Sequence, residues 1–191
     1  AEKQKSGIHP LSSAFVRSMN KQIFFFCLTG FLFVSLLGAL SHFFYEWSGN
    51  NKIVGFFFAA NESIWEHLKL AFFPTLLFFF TGAFFLKSPG CLVACFAALI
   101  VPVILIPVLF YSYTSVAGTS FLAADIAIYF VSVAATFALS YPILCAASMP
   151  KYASILAATG IAVLIVCFAT FTLFPPHIFL FRDPLSGKFG L

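Results

Sequence analysis

The residue types able to hold a metal ion or move a proton are few in this sequence, and they are bunched. The stretch NESIWEH at 61–67 supplies Asn61, Glu62, Ser63, Trp65, Glu66 and His67. Upstream, HFFYEW at 42–47 supplies His42, Tyr45 and Glu46, and near the end PPHIFLFRDP supplies His177, Arg182 and Asp183. Asp125 stands by itself in FLAADIAIYF. Imidazoles and carboxylates are ligands that zinc accepts, and a catalytic zinc keeps one position for a water that a leftover carboxylate can deprotonate. His42, Glu46, His67 and His177 are therefore candidate ligands for zinc or another divalent metal. Glu66, Glu62 and Asp125 are candidate catalytic groups. Asn61, Ser63, Trp65, Tyr45, Tyr111, Arg182 and Asp183 are expected to line the same site.

Spacing sharpens some of these assignments and offers plainer readings of others. His42 and Glu46 are four apart, as are Glu62 and Glu66, and Ser63 and His67, so each pair would share a helix face. Asn61 reads as an N-cap, and acids in the first turn favour the exposed amides there, which accounts for Glu62 without any chemistry. Trp65 and Trp47 fit an interfacial aromatic belt. Asp125 sits one turn into lipid depth, where a lone carboxylate is costly, so it should face inward and have a partner. Arg182 and Asp183 fit a local ion pair. WEHLK lacks the second His of HExxH, and neither GxSxG nor a phosphate-cradling Gly loop occurs.

The elements that must position these groups belong in a membrane. Of 191 residues, 62% are hydrophobic and 8% charged, whereas a soluble domain would be about a quarter charged. The net charge of +4 comes from scattered residues, which excludes a nucleic-acid surface. The five Cys all fall in apolar runs and read as small buried hydrophobes. Five long apolar segments stand out, at roughly 22–44, 61–86, 91–113, 121–146 and 152–174, each near the roughly 20 residues a span needs. IVGFFFAA, between the first two, is too short to span and should lie at the interface or dip into the protein. The first apolar run is too long for a signal-peptide core and reads as a retained span.

The expected fold is an all-α polytopic transmembrane helical bundle. Its domains are a basic cytoplasmic segment (1–21), a five-span membrane domain (22–174) and an ordered extracytoplasmic tail (175–191) packed on the site. Lys3, Lys5, Arg17, Lys21, Lys87 and Lys151 fall on one face and mark it as the inside. The N-terminus is then inside and the C-terminus outside. Five of the six acids and three of the four His meet at the opposite, outer end.

HFFYEW, NESIWEHLKLAFFP and PPHIFLFRDPLSGKFG together resemble the signatures of a family of small bacterial integral membrane proteins with no assigned function. The NESxWEH and PPHxxxFxDPxxGxxG stretches carry the resemblance, which covers almost the whole chain and implies a multi-span membrane protein. Membrane-embedded ceramidase-like hydrolases are similar in placing His and Asp near one membrane face, although their motifs do not occur here.

The leading functional expectation is a metal-dependent hydrolase acting on a lipid or lipid-like substrate at the outer face of the cell membrane. The alternatives are a proton- or ion-coupled small-molecule transporter and a non-catalytic ligand-binding or accessory subunit. Expected partners are membrane lipids and a small-molecule or lipid ligand, with no nucleic acid. Five spans do not divide into two repeats, so a transporter would need a homodimer to supply symmetry.

Overall fold

The computed structural model of the protein describes residues 10–190, with side chains from Met19 onward. Lys3 and Lys5, and the side chain of Arg17, lie outside the described residues. The chain folds into α1 (Pro10–Ser41), α2 (Phe44–Trp47), α3 (Lys52–Phe57), α4 (Ile64–Gly82), α5 (Cys91–Ala117), α6 (Leu122–Leu144) and α7 (Lys151–Leu173). A 3-10 turn at Phe179–Phe181 follows, with an isolated antiparallel bridge between Arg182 and Phe189.

Among the described residues, four helices are long and apolar enough to cross a membrane: Met19–Ser41 of α1, and α5, α6 and α7. This is a multi-pass membrane protein. The fifth expected span corresponds to α4, 19 residues long, whose first turns carry Glu66, His67 and Lys69 and dilute its apolar character. The piece between the first two long helices behaves as its length requires: six residues form α3, which lies against the end of α7.

Helices α1, α4, α5 and α6 pack as a ring in which each touches two neighbours, and α7 lies outside it against α5. The ring closes on a core that includes Val34, Leu68, Ala71, Phe72, Phe79, Ala98, Leu99, Val133 and Phe137. Outward-facing side chains such as Leu36, Phe80 and Phe85 are exposed and apolar, as a lipid-facing surface demands.

Close approach is bought with small residues and rescued carbonyls. Pro74 has no N–H, so the carbonyl of Leu70 loses its helical donor. The Tyr129 hydroxyl of α6 approaches that oxygen at 3.4 Å and donates to the Val34 carbonyl at 2.8 Å, joining three helices at one point. Gly38 makes room for this, because a Cβ there would collide with the Tyr129 hydroxyl and with Leu70 backbone. Helix α5 ends at Gly118 in the left-handed region, φ 73°, with its N–H on the Thr114 carbonyl. All five cysteines are free thiols, Cys27 and Cys95 buried and the others partly so.

Candidate functional site

The site forms where α1 finishes and α4 begins, and both ends differ from what spacing alone implies. Helix α1 stops at Ser41, and His42 and Phe43 form a turn before α2. His42 and Glu46 are therefore not on one continuous helix face. Helix α4 begins at Ile64, with Ser63 as its N-cap accepting from the Glu66 amide at 3.3 Å. Asn61 is two residues upstream of the cap. Its Oδ1 accepts from the Ser63 amide at 2.9 Å in a local turn, and its Nδ2 donates to the Gly190 carbonyl at 2.9 Å.

That shift of the helix start separates Glu62 from Glu66. Glu62 lies outside the helix and reaches both imidazoles: its Oε2 is 3.4 Å from His67 Nε2 and its Oε1 is 3.7 Å from His42 Nε2. One ligand atom from each of His42, Glu62 and His67 lies within 4.8 Å of the others. Glu66 instead turns into the protein, 3% exposed, where its Oε2 accepts from Lys69 Nζ at 2.7 Å and from the Ala60 amide at 2.9 Å. Lys69 is fully buried and also donates to the Gly55 carbonyl at 2.8 Å. The pair straps α3 and the 58–60 segment to α4, and sequence reasoning did not single out Lys69. Its signal was present: a Lys three residues after Glu66 in an apolar helix can survive only if the two pair.

The two histidines are held differently. His67 Nδ1 lies 2.9 Å from the Ser63 carbonyl oxygen. A carbonyl can only accept, so Nδ1 carries a proton there, and Nε2 is the ring nitrogen that faces Glu62. His42 Nδ1 is buried without a hydrogen-bond partner. Burial, then the neighbouring His67, pushes the His42 pKa below its ordinary value of 6.5, against the opposing pull of Glu62 and Glu46. His42 is therefore neutral near pH 7 and able to donate a lone pair.

The other expected residues fall around this group or away from it. Glu46 is exposed on α2 and near enough to act on His42 through its charge. Tyr45 lies beside it on α2, partly buried. His177 is exposed, its ring packed on Phe189 at 4.6 Å. Asp125 lies in the first turn of α6 and is only partly buried rather than turned into the core, and its partner is the Tyr113 hydroxyl of α5, which in turn accepts from the Phe121 amide at 3.1 Å. Tyr111 packs on Phe179 at 5.0 Å instead. Trp65 is no belt residue: it is buried and stacks on Phe168 and Phe181 with ring centres 4.6 and 4.8 Å away. Trp47, by contrast, is exposed as a belt residue would be.

The tail from Pro175 folds back on this end. Arg182 and Asp183 do not pair. Arg182 is exposed, while Asp183 is buried and accepts from the Leu185 amide at 2.9 Å and the Ser186 hydroxyl at 2.5 Å.

The donor set fits a small divalent ion. Two imidazoles and a carboxylate are ligand types that zinc accepts; the 3.4 and 3.7 Å separations run to different oxygens of Glu62, and one ligand atom from each residue lies within 4.8 Å of the others. Two imidazoles and one carboxylate would leave a fourth position open. The three side chains keep 31 to 42% of their surface exposed, so water can reach that position.

The model of a family of unknown function, DUF6512, matches residues 15–191, and the chain belongs to that family. No curated protein and no solved structure matches it.

Proposed function

We propose that this DUF6512 protein is a metal-dependent hydrolase that acts on a lipid or lipid-like substrate at the outer face of the cell membrane. Its N-terminus would be inside, its C-terminus outside, and α4 would be a fifth span. The observation that carries the reading is the convergence of His42, Glu62 and His67, one ligand atom from each within 4.8 Å of the others, with His67 Nδ1 engaged by the Ser63 carbonyl so that Nε2 faces the group. In this reading Glu62 moves from base to ligand, and Glu66 and Asp125 are occupied by Lys69 and Tyr113. Glu46, exposed beside His42, is the carboxylate left to take a proton from the attacking water.

A bound zinc would supply a water acidified toward neutral pH and polarise the scissile carbonyl or phosphoryl oxygen. The chain's own part is to hold two imidazoles, keep Glu62 between them and admit substrate from the side. Exposed Phe43, Trp47 and Phe57 on and around α2 and α3 suit a lipid that approaches along the membrane surface.

The test is elemental analysis of the protein purified in mild detergent, before and after chelation, for wild type and His67→Ala. About one divalent ion per chain in the wild type, lost in the variant, supports the reading. Release of product from a panel of lipid esters, amides and phosphodiesters, abolished by chelation, would then identify the bond cut. A wild-type protein without bound metal that takes up none on addition of zinc would remove the metal reading and leave transport or ligand binding.

A further inference from the structure

Between α1 and α4 the chain descends and comes back. The turn SGNN at 48–51 is exposed and polar, and α3 starts directly after it at Lys52. The other end of α3 lies well along α4. The Phe57 ring meets Phe73 edge-on, with ring centres 5.3 Å apart. Phe73 follows Ile64, the first residue of α4, by nine positions, which places it roughly 13 Å down the helix axis. Gly55, within α3, is held by Lys69, itself more than one turn into α4. On its other side α3 packs against α7, which is long and apolar enough to cross a membrane. Residues 58–63 then return to Ser63, the N-cap of α4.

The backbone along this path is treated as lipid depth requires, where polar groups must find partners within the protein. The Gly55 carbonyl, in the last turn of α3, accepts from the Lys69 ammonium at 2.8 Å. The Ala60 amide of the return segment donates to the Glu66 carboxylate at 2.9 Å. In water these two groups could be solvated without help. Here two charged side chains of α4 serve them, Lys69 at 0% and Glu66 at 3% exposure, and they neutralise each other at 2.7 Å. Gly55 and Ala59 are buried, so the inner side of the excursion is sheltered by protein. Its outer side carries Ile53 and Phe57, exposed and apolar like the lipid-facing Leu77 and Phe80 of α4.

We infer that residues 52–60 form a re-entrant element that dips into the bilayer beside α4 and α7, with Ile53 and Phe57 against lipid acyl chains and the Glu66–Lys69 pair standing in for water at its buried end. The inference is independent of the metal reading and needs only that α4 crosses the membrane.

Tryptophan fluorescence tests it, because the chain has two Trp, of which Trp65 is buried and Trp47 exposed. The full chain is reconstituted in phosphatidylcholine vesicles whose acyl chains carry bromine either near the headgroup or near mid-chain. Trp65 gives the common baseline in a Trp47→Phe background. With Phe57→Trp added, emission should fall more with mid-chain bromine than with bromine near the headgroup, and aqueous iodide should have little effect. Trp47, read as the difference between wild type and Trp47→Phe, should show the opposite preference. Leu77→Trp in the same background reports on α4 itself and should be quenched by mid-chain bromine. If it is not, the fifth span fails and this inference falls with it. Quenching at 77 with none at 57 overturns the inference alone: iodide quenching at 57 would place α3 on the water side, and shielding from both quenchers would place it under a second copy of the chain. Should Phe57→Trp fail to fold, Ile53→Trp must be quenched by brominated lipid and shielded from iodide; the reverse overturns the inference.

Discussion

Glu62 and Glu66 are of one type and four residues apart, yet one meets two imidazoles and the other a buried ammonium. Their fates divide because helix α4 starts between them, at Ile64. The same local detail decides the histidines: the Ser63 carbonyl orients His67, and burial keeps His42 neutral. A pH dependence follows with a definite sign. Protons compete with metal for His42, and its pKa lies below 6.5 in the folded protein. Protonation of His42 should therefore compete with bound zinc only on acidification below its ordinary range, so metal content across a dialysis series should hold at neutral pH and decline as pH falls further. The stability contributed by neutral His42 has the same direction: it is present above the unfolded value of about 6.5 and fades as pH falls from there through the folded value. Metal content that stays constant as pH falls well below about 6 would contradict ligation by His42, since a ligating imidazole must compete with protons there.

Among the elements, the junction of α1, α4 and α6 is the most exacting contact. Pro74 leaves Leu70 an unmatched carbonyl, Tyr129 approaches it, and Gly38 gives the space. Gly38→Ala forces the Tyr129 hydroxyl aside and should destabilise the protein by about 1–3 kcal/mol, as overpacking does in tight interiors. A lowered melting temperature in detergent would register it, and Tyr129→Phe should relieve part of the loss when combined with Gly38→Ala. Additive losses in the double variant would show that Tyr129 is not what Gly38 accommodates. These contacts were half legible in the sequence. A glycine such as Gly38 and a helix-interior proline such as Pro74 are visible in the sequence as a small residue and a freed carbonyl, but which hydroxyl answers depends on helix rotation, and hydropathy does not encode that.

At the scale of the whole molecule, the buried Glu66–Lys69 pair ties the α2–α3 cap to the ring of long helices. Lys69 reaches the Gly55 carbonyl and Glu66 the Ala60 amide, so the pair spans two chain segments that contain no long helix. Lys69→Met leaves Glu66 charged and unpaired in a buried setting, which should cost about 3–5 kcal/mol. Glu66→Gln combined with Lys69→Met should recover much of that stability, because the uncompensated charge is gone, while the strap to Gly55 stays broken. Thermal unfolding of the single and double variants measures both. A double variant as unstable as the single would show that the lost strap, and not the orphaned charge, dominates.

The sequence by itself determined the membrane class and the positions of the long helices to within a few residues, except the start of α1. That start lies at Pro10, inside the segment expected to precede the first span. The sequence also pointed to a gathering of acids and histidines at one end. Those features follow from hydropathy and from connectivity, since consecutive spans must alternate direction and bring their ends together. Tertiary structure alone decided which carboxylate meets which imidazole. The break at His42, the start of α4 after Ser63, the withdrawal of Glu66 to Lys69 and the capture of Asp125 by Tyr113 each depend on a partner distant in the chain or on a boundary shifted by two residues. A helix turns by 100° per residue, so a shift that small points a side chain to a different neighbour.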